Sequence, residues 1–259
     1  MKPLVILLCI FFSYLNCIGE IRTKTPLIDD LEVRNKLVKG AVELEFHFKD
    51  DKSPPIFYEP LARDPYMGTG WAYVLNSEGG LWRLWQVVKG KPHGWDFMFH
   101  YSGNKSSQQY WVQGKREGLL INWHDNGQKE REVMWRNGKR NGTEIEWNEN
   151  GLKKAEYHFK NGKEEGIQKY WYENGQKSHE DNFKNGKLHG SSTWWYKGGA
   201  IKAEIKAENG RWLSVDVWQP NGDKCTETKL VDGDGVFVDY EENGAEKRRA
   251  YIENYKFKD

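Results

Sequence analysis

The sequence has little of what a disulfide framework or a nucleic-acid interface is built from. It contains 3 cysteines in 259 residues, and two of them, Cys9 and Cys17, lie close to the N-terminus. Beyond that segment only Cys225 remains, so no disulfide framework can form. The net charge is +1 at pH 7 and no basic block stands out, so the counterion release that drives nucleic-acid binding has no source. We therefore expect no nucleic-acid partner, and stability that comes from packing and backbone hydrogen bonds.

Long apolar runs are also missing, apart from one near the start of the chain. Lys2 precedes an almost unbroken apolar run over residues 4–12, and the small residues Cys17 and Gly19 precede a possible cleavage point before Glu20. The run is shorter than the roughly 20 apolar residues of a transmembrane helix. This pattern predicts a signal peptide over residues 1–19 and an exported protein of the periplasm, the cell envelope or the medium. An uncleaved anchor is the alternative.

Cys17 is a second candidate for processing at the N-terminus. Bacterial lipoproteins are cut just before a cysteine that then becomes lipidated, usually after leucine and two small residues. Residues 14–16, with the sequence YLN, depart from that pattern. Lipidation of Cys17 is therefore the less favoured alternative to cleavage before Glu20.

Two residue classes are abundant, and together they indicate thin sheets. Aromatic residues make up 14% of the chain and charged residues 30%. Disordered chains lack aromatics, so this chain should fold. Many charges beside many aromatics are typical of sheets with one face in water.

Glycines and aromatics recur with a fixed period, which indicates about seven copies of one unit. Three glycine series, over residues 79–199, 90–210 and 70–190, each advance in steps of 24. One column of mostly aromatic residues keeps the period almost to the end of the chain: Leu75, Phe99, Trp123, Trp147, Trp171, Trp195, Trp218 and Tyr240. A second column consists of Val87, Trp111, Trp135, Phe159 and Phe183.

The turns between these columns predict the fold class. Asn-Gly occurs ten times, mostly at the two turn positions of each repeat, and it is the strongest signal for a two-residue hairpin turn. Turns follow one another every 11 to 13 residues, which leaves no room for an ordinary helix. The sequence predicts an all-β protein, an elongated antiparallel meander of repeated β-hairpins.

Alternation within the strands predicts two unlike faces of this sheet. In the fourth unit the interpretation places Thr143, Ile145, Trp147, Ala155, Tyr157 and Phe159 on one face. It places Glu144, Glu146, Lys154, Glu156 and His158 on the other. One face is thus expected to be an aromatic and aliphatic ladder, and the other a lattice of charges.

The repeat resembles a known family. The pattern G-x-x-x-x-W-Y-x-N-G-x-K-x-x-E, followed by a second N-G-K, occupies residues 166–187. A related copy occupies residues 142–163. This pattern is similar to the MORN-variant repeat, and the resemblance extends over roughly Gly70 to Tyr251. It implies a binding or scaffolding sheet whose partners are proteins or membrane surfaces. Bacterial members are often described as antitoxin-like, which implies a toxin as partner.

The resemblance and the signal pattern divide the chain into three parts. Residues 1–19 are the expected signal peptide, residues 20–64 an N-terminal capping segment, and residues 65–255 the repeat domain. Within the capping segment, residues 27–38 fit a short amphipathic helix and residues 41–48 alternate like a strand. The last repeats have shortened spacing and are expected to cap the array.

The residues that could carry chemistry fit structural roles better than catalytic ones. His93 and His189 occupy the same repeat slot four periods apart, so they cannot share a metal. The acidic run that begins at Asp232 departs from the calcium-loop order and fits a hairpin turn. Lysine and glutamate recur together in the central units, for example Lys153 with Glu156, and cross-strand charge pairing accounts for them. We expect no enzyme, no catalytic residue, no metal site and no cofactor.

Aromatic residues are therefore the candidate binding residues. Trp123, Trp147, Trp171 and Trp195 form a ladder that is either core or an exposed recognition surface. Tyr170 and Tyr172, opposite Trp171, are candidate anchors for a partner, because Tyr and Trp dominate interface hot spots. The sequence predicts a non-catalytic protein-binding or scaffolding module, in an antitoxin- or immunity-like role. The alternative is an envelope protein that binds carbohydrate or lipid surfaces.

Overall fold

The fold was analysed in a computed structural model. It describes residues 42–43, 45–47, 56–58, 69–76, 79–231 and 233–258. These residues form strands, turns and bridges without a helix, so none of them belongs to a helix that could span a membrane. The prediction of an all-β fold built from an antiparallel meander of hairpins is confirmed. The chain divides into two compact units, Met1–Lys115 and Arg116–Asp259.

The described residues of the first unit form seven strands. They are β1 (Val42–Glu43), β2 (Glu45–His47), β3 (Ile56–Tyr58), β4 (Thr69–Leu75), β5 (Leu81–Val88), β6 (Lys91–Phe99) and β7 (Lys105–Val112). Strands β4 to β7 form an antiparallel meander, and β1 joins its edge parallel to β4. Strands β2 and β3 pair with each other. The strand predicted over residues 41–48 is thus divided between β1 and β2.

The second unit begins in the eighth strand. Its main sheet contains β8 (Lys115–Trp123), β9 (Lys129–Arg136), β10 (Lys139–Trp147), β11 (Lys153–Lys160), β12 (Lys163–Glu164), β13 (Gly166–Trp171), β14 (Lys177–Lys184), β15 (Lys187–Trp195), β16 (Ile201–Glu208) and β17 (Arg211–Val217). These strands follow one another in sequence order, with β12 pairing β11. A separate four-stranded sheet follows: β18 (Lys229–Val231), β19 (Asp234–Tyr240), β20 (Glu246–Glu253) and β21 (Lys256–Lys258).

Each glycine series has a distinct place in the hairpin. In the two-residue turn between β14 and β15, Asn185 has φ 55° and Gly186 has φ 78°, as a type I′ turn requires. The longer turns at the opposite strand ends close with a hydrogen bond from the Gly175 amide to the Tyr172 carbonyl, 2.9 Å long. The glycines of the third series, over residues 70–190, lie opposite the residues of the second aromatic column. Gly142, for example, pairs with Phe159.

The register between strands corrects the predicted faces. Glu144 is paired with Tyr157 and Glu146 with Ala155, and directly paired residues of an antiparallel sheet project to the same side. The prediction that Tyr157 shares a face with Trp147, away from Glu144, is therefore wrong. Alternation fixes the pattern within one strand but does not fix the offset between two strands. Below, the side that carries Glu144, Tyr157 and Tyr170 is the Glu144 face, and the opposite side is the Trp147 face.

A β-bulge at the start of the return strand explains the pattern of charges. In β11, Lys153 pairs with Trp147 while Ala155 pairs with Glu146, so Lys154 is an extra residue. The bulge brings Lys153 and Glu156 to the same side, where Nζ and Oε2 lie 2.7 Å apart. The prediction of cross-strand pairing is corrected here, because this ion pair lies within one strand.

The separate C-terminal sheet packs on the Glu144 face of the last strands. Ala203, Ile205, Val215 and Val217 of the main sheet form one buried cluster with Cys225, Phe237, Val238, Tyr240 and Ile252. The final repeats therefore leave the main sheet and cover it. This sheet-on-sheet core contains the most extensive apolar burial of the second unit.

Several predictions concern residues outside the described part of the chain. The signal peptide over 1–19, the lipidation of Cys17 and the amphipathic helix over 27–38 all lie outside it. Of the capping segment 20–64, the structure describes only β1, β2 and β3. These three features stay predictions.

Candidate interaction surfaces

The tryptophan column lies on the Trp147 face, where it alternates with lysines. The row across the strands reads Trp123, Lys129, Trp147, Lys153, Trp171, Lys177 and Trp195. The ammonium of Lys153 lies 5.6 Å from the centre of the Trp171 ring, within cation–π range. All four tryptophans are half-buried. The predicted ladder residues are thus brought into one row, packed between lysine stems rather than inside a core.

The ion pairs beside this row are the same in three repeats. Lys129 pairs with Glu132, Lys153 with Glu156, and Lys177 with Glu180. The hydrogen bond from Lys153 holds the pKa of Glu156 below its usual value, against the opposing effect of burial. A charge pair that recurs in three successive repeats belongs to the lattice of the sheet. The Trp147 face is therefore periodic in its chemistry.

The Glu144 face carries a chain of aromatic rings that changes from repeat to repeat. Ring centroids are 5.5 Å apart between Tyr157 and Tyr170, 6.0 Å between Tyr170 and His179, and 5.4 Å between His179 and Trp194. The corresponding position of successive repeats holds Asn122, Glu146, Tyr170 and Trp194. This face thus differs chemically along its length, unlike the Trp147 face.

Tyr170 lies at the centre of this aromatic chain. It is half-buried, and burial raises the pKa of its hydroxyl well above the usual value of 10.0. Within the described residues that hydroxyl makes no hydrogen bond. Burial also lowers the pKa of the neighbouring His179, so its imidazole is neutral near pH 7. The site is an aromatic surface on which the Tyr170 hydroxyl is available for a hydrogen bond.

Tyr172 has a different role from Tyr170. It lies just beyond the end of β13, in the long turn, and its hydroxyl donates a 2.6 Å hydrogen bond to the carbonyl of Trp195. Tyr196 repeats this contact with the carbonyl of Trp218 at 2.8 Å. Tyr172 therefore joins one repeat to the next, and of the two candidate anchors Tyr170 is the one that lies on the Glu144 face.

The first unit contains a buried carboxylate that the sequence reasoning missed. Asp96 is fully buried, and Arg83 holds both of its oxygens, at 3.0 and 2.8 Å. Gln109 and Trp111 each donate to its Oδ2 atom, at 2.8 and 2.9 Å. The column of Asp96 holds Ala72, Leu120, Glu144, Gln168 and Ser192 in the other repeats, so its mixed composition gave no clear signal. Because its partners are all within the sheet, this cluster stabilises the first unit.

A second missed feature is a row of like-charged pairs at the Asn-Gly turns. Arg136 pairs with Lys139, Lys160 with Lys163, and Lys184 with Lys187 across their hairpins. All six side chains are exposed. In the sequence they flank the three Asn-Gly pairs at residues 137–138, 161–162 and 185–186, which were interpreted only as turns. We call these six residues the cationic turn row.

Several of the candidate metal residues are engaged in other contacts, whereas the buried Nδ1 atom of His189 has no hydrogen-bond partner among the described residues. In the part of the chain that the structure describes, no three His, Cys, Asp or Glu side chains gather as a metal site requires. Asp234 accepts a 2.7 Å hydrogen bond from the Asn254 amide, and Asp239 lies 2.8 Å from Lys202. His93 accepts from the amide of Gln113 at 3.3 Å. These side chains secure turns and the contact between sheets.

Comparison with known families supports the repeat assignment. The MORN repeat variant matches residues 164–185, which run from the end of β12 into the turn after β14. Residues 164–185 thus form a MORN-variant repeat, which is one unit of the 24-residue array. The matched MORN-variant repeat includes Tyr170, Tyr172 and Trp171 as well as Lys184 of the cationic turn row. A search of curated proteins found no match to the chain.

Proposed function

We propose that this MORN-variant protein is a non-catalytic binding module that engages a protein partner through the Glu144 face around Tyr170. The observation that carries the proposal is the aromatic chain Tyr157–Tyr170–His179–Trp194, with ring centroids 5.4 to 6.0 Å apart. Tyrosine and tryptophan contribute large contact areas at little entropic cost and dominate interface hot spots. The variation of this face along the repeats gives a partner a unique position to recognise.

The C-terminal sheet supplies a precedent for docking on this face. Phe237 packs edge-to-face on Trp194 and Trp212, at 6.3 and 5.5 Å between ring centroids. The same aromatic chain continues from Trp194 to His179 and Tyr170. A partner that buried Tyr170 would extend packing that the chain already makes with itself.

The non-catalytic and exported parts of the proposal rest on the sequence and on repetition. Lysine–glutamate pairs such as Lys153–Glu156 recur as lattice contacts, which supports a structural role for groups that resemble an acid–base pair. The pattern of residues 1–19 favours work in the envelope or outside the cell. The antitoxin-like resemblance then favours immunity against an exported toxin as the specific role.

The test is an affinity capture with the full chain from envelope and secreted fractions, beside a Tyr170→Ala variant. Tyr172→Phe is the matched control, because it alters a neighbouring tyrosine that does not project from the Glu144 face. Circular dichroism checks that all three proteins are folded. We expect one protein to be retained by the parent and by Tyr172→Phe and lost with Tyr170→Ala.

Other outcomes would move the site or the function. Equal capture by all three baits would reject Tyr170 as the anchor. Capture of glycan or lipid without protein would favour the alternative, a carbohydrate- or lipid-binding envelope protein. Growth protection by co-expression against a neighbouring toxin-like gene product would test the immunity role separately.

A further inference from the structure

The cationic turn row is an arrangement that costs stability. Directly opposed residues in an antiparallel hairpin have Cβ atoms about 4.5–5.5 Å apart, and like charges there repel each other. Lys160 faces Lys163 in this way, and Lys184 faces Lys187. The chain has almost as many acidic residues, 38, as its 39 lysines and arginines. Composition therefore does not force like charges together at three successive turns.

Cations elsewhere in the same strands are paired. On the two faces of β9 to β14, Lys129, Lys153, Lys154, Lys169, Lys177 and Arg131 each have a carboxylate partner. In the described residues, no member of the cationic turn row forms an ion pair. The cations named on the two faces of these strands are thus neutralised within the sheet, whereas the cations of the cationic turn row are not.

The turns stack, so the pairs form a regular line. The amide of Gly162 donates to the carbonyl of Arg140 at 2.7 Å, and the amide of Gly186 donates to that of Glu164 at 2.9 Å. The side chain of Lys139 lies beside Gly162 of the next turn. Since each repeat adds two strands about 4.8 Å apart, successive pairs are separated by about 10 Å.

We propose that the cationic turn row binds an extended acidic segment of a partner protein, with one carboxylate for each pair of cations. In the polyproline II conformation a chain advances about 3.1 Å per residue with three residues per turn, so every third side chain points the same way and meets the next pair. Electrostatic complementarity of this kind sets the register and the association rate of a complex. The surface is separate from the Tyr170 region, so either proposal can fail without the other.

Negative charges within the row favour a protein segment over a uniform polyanion. Glu165 lines the same surface depression, of about 460 Å³, as Lys139, Lys160 and Lys163. Glu165 also accepts a hydrogen bond from the amide of Asn185 at 2.9 Å, which fixes it in place. A membrane or nucleic acid presents negative charge throughout and is repelled at that point, whereas a peptide can place neutral residues there.

The probe is a labelled synthetic peptide in which every third residue is glutamate and the others are serine and glycine. A second peptide has the same composition with its glutamates contiguous. Fluorescence anisotropy with the full chain should show tighter binding of the spaced peptide and a loss of binding as salt is added. Failure of the spaced peptide to bind, or equal binding of both peptides, would overturn the proposal.

Matched charge variants separate this row from the general charge of the protein. Lys160→Gln/Lys163→Gln should weaken the spaced peptide by about fivefold, in keeping with two exposed ion pairs. Lys206→Gln/Lys229→Gln removes the same charge from exposed positions outside the row and should leave affinity unchanged. Equal loss in both variants would reject the site.

Two further readouts make the result decisive. Because Lys160→Gln/Lys163→Gln removes a repulsion, its melting temperature should equal or exceed that of the parent; a lower one would indicate a structural role for these lysines and contradict the proposal. Vesicles containing anionic phospholipid, and heparin, should bind more weakly than the spaced peptide. Tighter binding of either would reject a protein segment as the ligand.

Discussion

Neighbouring tyrosines in one repeat have opposite tasks. The Tyr172 hydroxyl is committed to the carbonyl of Trp195, while the Tyr170 hydroxyl has no hydrogen-bond partner in the part of the chain described. Their positions, two residues apart on either side of Trp171, make them look equivalent in the sequence. The end of β13 at Trp171 separates them, because Tyr170 belongs to the strand whereas Tyr172 lies in the turn that comes after it.

Removing each hydroxyl should therefore have different effects on stability. Tyr172→Phe should lower the free energy of unfolding by about 0.5–1.5 kcal/mol, the net value of one internal hydrogen bond. Tyr170→Phe should change it by much less. Urea denaturation followed by tryptophan fluorescence measures both, and a larger loss for Tyr170→Phe would contradict the assignment.

His179 makes stability depend on pH. Burial lowers its pKa below the usual value of 6.5, so the folded protein binds the proton less well than the unfolded chain. The stability that comes from a neutral His179 is present above pH 6.5. It is lost as the pH falls from 6.5 through the pKa of His179 in the folded protein. We expect His179→Phe to reduce the fall in melting temperature between neutral and mildly acidic pH. An unchanged pH profile in the variant would show that His179 is solvated.

At the scale of the hairpin, the turn residues and the bulge decide which side chains meet. The Asn-Gly turns at residues 137–138, 161–162, 185–186 and 209–210 have positive φ at both residues, as the sequence predicted. At the longer turns, such as the one that contains Asn174 and Gly175, only the glycine has positive φ, so the predicted two-residue turn does not form there. The bulge at Lys154 was not predicted, because one extra residue in a strand leaves no clear mark in the alternation. Without it, Lys153 would project away from Glu156 and from the Trp171 ring.

A glycine substitution tests the turn at this scale. Gly186 has φ 78°, and a side chain in the left-handed region costs roughly 1–2 kcal/mol. Gly186→Ala should lose about that much stability by denaturant titration. Gly198→Ala is the control, since Gly198 lacks the positive φ and a Cβ there meets no atom within 4 Å. Equal losses in the two variants would argue against a type I′ turn at Gly186.

At the scale of the whole molecule, the C-terminal sheet supplies a second layer to the second unit. It leaves the meander after β17 and returns over the Glu144 face, where Phe237 is 5% exposed and Phe257 is 42% exposed. The aromatic chain is thus core at one end and an accessible surface at Tyr170. Because the C-terminal sheet covers only one end of the aromatic chain, that end stabilises the fold while the end at Tyr170 remains accessible to a partner.

Replacing Phe237 and Phe257 by alanine, one at a time, should cause unequal losses of stability, because Phe237 is buried and Phe257 is partly exposed. Phe237→Ala should cost about 3–5 kcal/mol, the usual price of a buried Phe-to-Ala change. Phe257→Ala should cost clearly less, because much of its ring is already in water. Thermal or chemical denaturation provides the measurement, and comparable losses would mean that the C-terminal sheet does not pack as described.

The sequence by itself determined the all-β class, the repeat period, the turn positions and the membership of each aromatic column, because glycine, Asn-Gly and aromatic spacing act locally. It did not determine that Trp147 and Tyr157 lie on opposite faces, since the offset between paired strands depends on bulges and turns together. Nor did it determine that residues 229–258 fold back as a second sheet. Those contacts join residues through tertiary packing, which minimises exposed apolar surface over the whole second unit.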